Sequence, residues 1–163
     1  YFGTGGGHSA YPWTIMMSGA AEIEAMLTRT ATRLHAMEIE RLVIFSGHFA
    51  DEQLEMIDRF SEDWNAVGAK PRVTATAVNR CSGSGTDPDH AGAFETLLMH
   101  AISPETVDLS QLPTLKDAPD RIDRHDPSCA IWGVVGEDPR TVDLAEAEAL
   151  LDYLTDWLTR QSL

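Results

Sequence analysis

The stretch DPDHAGAFETLL, residues 87–98, sets a histidine and a glutamate five positions apart where a polar loop gives way to an apolar helical pattern. On one helix that gap is about 500°, so His90 and Glu95 would point ~140° apart. They can serve one site only if His90 stands at or before the first turn and Glu95 lies inside the helix. Asp87, Pro88 and Asp89 offer such a helix start, since proline disfavours helix in the residue before it and aspartate caps well. His48 follows an apolar run at residues 42–45, and Gly47 before it lets the backbone turn and present the imidazole to a cleft. His8, in GGGHSAYP, is a third histidine. Two histidines with a carboxylate form the usual ligand set for zinc or a similar divalent ion. Each of these residues also has a plainer reading: His48 as partner of a loop carbonyl, and His90 or Glu95 as a helix cap. Trp132, next to Ile131, either joins the core or lines a pocket.

The elements that must position these residues are legible as periodicities. Ile23, Met26, Leu27, Ala31 and Leu34 recur at helical spacing after Ser18 and Gly19. Residues 42–45 read as a buried parallel strand. Leu54, Ile57, Phe60 and Trp64 restore a helical stripe that ends near Gly68, and residues 71–78 are β-rich. Phe94, Leu97, Leu98, Ala101 and Ile102 predict a helix that stops before Pro104. Residues 104–128 form a connection rich in proline and aspartate, CAIWGVVG is a further strand candidate, and a closing helix runs from about Val142. This alternation predicts an α/β fold, a three-layer αβα sandwich with a mostly parallel sheet, in one domain over residues 1–163. In such folds ligands bind outside the carboxyl ends of the strands, and both His48 and residues 87–90 follow a strand.

Bulk composition narrows the partners. The 26 acidic and 12 basic side chains give a formal net charge of −14, which argues against nucleic acid or an anionic membrane, since either would need a basic patch. No apolar run reaches the ~18 residues of a transmembrane helix, and no signal-peptide pattern is visible. Cys81 and Cys129 form no CxxC pair, so a reduced, cytoplasmic setting is expected. The methionines fall mainly on apolar stripes and are expected in the core. GTGGGH is followed by Tyr11, Pro12 and Trp13, which prevents the immediate helix of a phosphate loop, and SGSG has no lysine after it. Ser46, Ser82 and Ser84 sit in no nucleophile elbow. The chain opens on YFGTGGGH without methionine and reads as though it starts inside a domain.

Several segments together resemble a known family. DPDHAGAFETLLMHAISPETVDL looks like the creatininase-family block D-x-H-A-G-x-x-E-T-S with its helix and following Pro-Glu-x-Val-Asp segment. RLVIFSGHFADE is similar to that family's strand and N-G-H-G-G-N turn, GGGHSAYPWTI to its H-x-x-F-P-G-T-I element, and GVVGEDPRTVDLAEAEAL to its late G-x-x-G-D-P segment. The matches run in the family's order over nearly the whole chain.

The resemblance implies an αβα fold, commonly hexameric, and a metal-dependent amidohydrolase that opens cyclic amides or removes acyl groups from nitrogen in small molecules. It implies zinc, manganese or both (iron is an alternative), with His48 and Glu95 as metal ligands. His90 would be the substrate-side residue that passes a proton to the leaving nitrogen, and His8 and Trp132 are the substrate-binding candidates. The family's N-terminal E-x-H-G-x-H-L-P element and bridging aspartate have no match here, and Ala50 stands where creatininase carries a further acidic ligand. The expectation is therefore an active site completed by an N-terminal segment or chain beyond these residues. The alternative is a non-catalytic binding or structural subunit of the same family.

Overall fold

A computed structural model of the chain describes residues 19–117, 126–129 and 131–162. They contain helices α1 (Ala20–Ala36), α2 (Asp51–Ala66), α3 (Ala93–Ile102) and α4 (Ala147–Gln161), with strands β1 (Arg41–Ser46) and β2 (Arg72–Ala77). The chain divides into two compact units, one of Tyr1–Cys81 with Leu158–Leu163, the other of Ser82–Trp157.

In the first unit β1 and β2 pair in parallel, from Arg41 beside Arg72 to Ser46 beside Ala77, with α2 as the crossover. Side chains alternate across a strand, and the set Leu42, Ile44, Val73 and Ala75 meets the helices. Ile23 of α1 and Met56 and Ile57 of α2 pack with Ile44 and Ala75, while Ala31, Phe60 and Val73 pack with Leu42 and Trp64. The outer edge of β2 is closed by α2. Asn65 Oδ1 accepts from the Val73 amide at 2.9 Å, and Asn65 Nδ2 donates to the Val73 carbonyl at 2.8 Å. One side-chain amide thus supplies the two bonds a neighbouring strand would make, which blunts the edge.

Two expectations change here. Residues 42–45 do not form a strand buried on both faces: Leu42 to Ile44 are half-buried and Phe45 is 45% exposed. Only one face of β1 meets α1 and α2, so the apolar run is covered on one side alone. Met56 is in the core, but Met26, Met37 and Met99 are exposed. On α1 the inward line is Ile23, Leu27 and Ala31, and Met26 sits about 100° from Leu27 around the axis.

In the second unit α3 starts at Ala93 with Gly92 as N-cap, and it buries Ala93, Phe94 and Leu97. Ile102, assigned to the apolar stripe from sequence, is 66% exposed at the last position of the helix. Residues 131–137 are not a strand. Trp132, Gly133 and Ile131 form turns, Gly133 and Gly136 take φ of 101° and 128°, and Val135 alone makes a bridge, to His90. Those glycine conformations break extended pairing, which period-2 apolarity could not reveal. The last helix begins at Ala147 and not near Val142, because Asp138 and Asp143 each cap a short 3-10 turn ahead of it. Among the described residues no helix is long and apolar enough to cross a membrane.

Candidate active site

His90 lies just before α3 and Glu95 lies in its first turn. The loop that joins them is built by hydrogen bonds from side chain to backbone. Asp89, 7% exposed, accepts from the amides of Gly92 (3.2 Å), Phe94 (2.9 Å) and Glu95 (3.2 Å). Those amides belong to the helix start, whose first N–H groups have no partner within the helix. Glu95 Oε2 turns back to accept from the Ala91 amide at 2.7 Å, and Ala91 holds a left-handed φ of 54°. From the other side, His90 and Val135 exchange both backbone bonds, at 2.9 and 2.8 Å, and the Ala93 amide donates to the Glu137 carbonyl at 3.1 Å. Burial pushes the Asp89 carboxyl above its ordinary range, against the pull of the three amides.

His48 belongs to the first unit, two residues past β1. Ser46, buried at the end of the strand, donates its hydroxyl to the His48 carbonyl and accepts from Gln53 Nε2 at 3.3 Å. Gln53 heads the buried line of α2, ahead of Met56, Ile57 and Phe60, so a polar side chain there is matched to a polar partner. Trp132 is half-buried against Cys129, Ile131 and Val134, together with Leu112. His8 lies outside the described residues. Neither Cys81 nor Cys129 forms a disulfide, and burial raises the Cys81 thiol above its ordinary range.

The structure therefore brings His90 and Glu95 to one loop–helix junction and sets His48 at a strand end. Sequence reasoning offered Asp89 as part of a helix start but not its hold on three amides, and it missed Gln53. The signal for Gln53 was a polar residue at the head of an apolar stripe. For Asp89 it was an acid immediately before His90 with a glycine three residues on.

A histidine and a carboxylate are the right donor types for a divalent ion. Their number falls short. Among the described residues no three His, Cys, Asp or Glu side chains gather into a group that could hold a metal.

A parallel strand pair joined by a crossover helix is α/β architecture, a class in which ligands bind outside the carboxyl ends of the strands. The family model for creatininase, creatinine amidohydrolase, matches residues 1–161, and the chain belongs to that family. Solved structures agree in fold. The crystal structure of a Bacteroides fragilis protein assigned as a creatinine amidohydrolase superposes with a TM-score of 0.65 at 21% identity, over 96% of this chain and 66% of that one. A creatinine amidohydrolase (creatininase) gives 0.61 at 21% identity, over 93% and 67%. A tryptophan-to-alanine mutant of creatininase gives 0.62 at 20%, over 92% and 65%. The chain thus spans about two thirds of the length of these relatives. No curated protein sequence matches it.

Proposed function

We propose that the chain carries part of the machinery of a metal-dependent amidohydrolase that cleaves a non-peptide C–N bond, of cyclic amide or formamide type, in a small molecule. The observation that supports this best is the junction at His90 and Glu95. It fixes a histidine ahead of a helix and a carboxylate in its first turn, in the block that most resembles the family motif. Hydrolysis of such a bond needs a proton for the departing nitrogen, and a histidine titrates in the range where it can donate one. In this reading His90 supplies that proton, His48 and Glu95 are metal ligands, and His8 and Trp132 contact substrate. Zinc or manganese is the ion, with iron as the alternative, and donors outside the described residues complete its shell. The protein is taken to be a cytoplasmic homo-oligomer, hexameric by family resemblance. The net charge of −14 speaks against nucleic acid and anionic membranes as partners.

The alternative reading is a creatininase-family subunit that binds or scaffolds without catalysis, since among the described residues no three metal-ligating side chains gather. The test is a substrate panel of creatinine, small lactams and formamides, run on the purified full-length protein with zinc, manganese or iron(II) added. The first reading predicts release of amine or ring-opened product, and His90→Gln should slow it by roughly 10²–10⁴-fold. Absence of turnover with every ion and substrate class would favour the second.

A further inference from the structure

We propose that Asp89 is the positioning residue of the His90–Glu95 junction: its buried carboxylate gathers three amides and so holds the turn from which both side chains leave. The inference rests on the roles proposed above for His90 and Glu95 and adds a third residue to that site.

Asp89 is more than a helix cap. A capping side chain ordinarily belongs to the N-cap residue and satisfies one amide of the first turn. Here the N-cap is Gly92, which has no side chain to offer, and Asp89 reaches the first turn from three positions earlier. Its carboxylate therefore ties the turn of residues 89–92 shut as well as capping α3. The room it occupies is reserved for it. A Cβ on Gly92 would stand 2.7 Å from the Asp89 carboxyl carbon and 2.7 Å from the Glu137 carbonyl oxygen. A Cβ on Gly136 would meet the Asp89 side chain as well.

The consequence reaches both site residues. Ala91 keeps a left-handed backbone that a residue with a Cβ rarely adopts, and such a conformation persists where surrounding bonds over-determine it. That conformation accompanies the bond from the Ala91 amide to Glu95 Oε2, which fixes one carboxylate oxygen and leaves the other to a ligand. The bonds of His90 with Val135 and of Ala93 with Glu137 hold the outside of the turn, and Asp89 holds its inside. Without the inner tie, Ala91 can relax to a right-handed or extended backbone. Glu95 then loses its amide partner, and the backbone from which the His90 side chain leaves is released.

The test compares Asp89→Asn and Asp89→Ser with the wild-type full-length protein by NMR, with no metal or substrate added. Asparagine and serine both cap helices well, so a merely capping Asp89 would tolerate either. The expected result is retained protection of the α3 amides with exchange at the Ala91 amide faster by about tenfold or more. Three-bond couplings across χ1 of His90 should pass from one rotamer to an average. Folded variants in which Ala91 exchange stays within about twofold and the His90 couplings are unchanged would overturn the proposal. Should both variants fail to fold, the wild type decides. Scalar couplings across hydrogen bonds from the Gly92, Phe94 and Glu95 amides to the Asp89 carboxyl carbon support the positioning role, and their absence overturns it. None of these readings uses turnover, so a failure here is separate from a failure of the hydrolase reading, which the substrate panel reports.

Discussion

Gly92 and Gly136 show how tightly the residue scale is specified around Asp89. The space a methyl group would need at Gly92 is filled by a carboxylate and a backbone carbonyl, and backbone cannot give way cheaply. Gly92→Ala is expected to destabilise the protein by about 1–3 kcal/mol, the usual cost of overpacking, read as a lower midpoint in urea unfolding at unchanged slope. The control is Gly47→Ala, where no heavy atom lies within 4 Å of the added Cβ and the midpoint should barely move. At this scale the five-residue gap between His90 and Glu95 was legible in the sequence, because helix geometry alone dictates where the two must stand. That an aspartate of residues 87–89 would cap the helix was legible too, but that Asp89 would gather three amides was not. Its bonds depend on a turn closed by Val135 and Glu137, which are distant in the chain, and no local pattern announces that approach.

Between Gly136 and α4 the chain carries a largely buried ion pair, Arg140 with Asp138. Arg140 donates to Asp138 through Nε and Nη2, the latter at 2.6 Å, and to the Pro113 carbonyl through Nη1 at 3.0 Å. The two side chains are only 6% and 14% exposed. The Arg140 guanidinium holds the Asp138 carboxyl below the usual range, and backbone donation from Arg140 adds to this. A depressed folded value stabilises the protein above the unfolded aspartate value of about 3.9, and that stability is lost as pH falls through the lower folded value. Unfolding measured between about pH 5 and pH 2 should therefore show an acid limb that Arg140→Leu flattens. The same variant should lose about 3 kcal/mol at neutral pH, because it leaves a largely buried carboxylate unpaired. Elements built on strong periodicity, α1, α2, β1 and β2, could be read from the sequence. CAIWGVVG could not, since its apolar run is folded into turns by two glycines at positive φ. Nor could the late start of α4, which is set by aspartate caps on short turns.

At the scale of the whole molecule, the chain is a creatininase-family α/β protein whose described residues fall into two compact units. The family block was legible because its residue types are fixed by chemistry and their order by the fold. The sequence also raised the expectation of an incomplete metal site, but which donors would complete it was not legible, because ligands that meet in space need no spacing in sequence. The central claim, that His48 and Glu95 are metal ligands, meets its most direct test in metal content per chain. Elemental analysis would be run on dialysed full-length protein as wild type, His48→Ala and Glu95→Gln, each first incubated with zinc or manganese. The account predicts bound metal in the wild type and a clear loss in each variant, with the fold retained by circular dichroism. A wild type that binds neither ion, or variants that hold as much metal as the wild type, would contradict it.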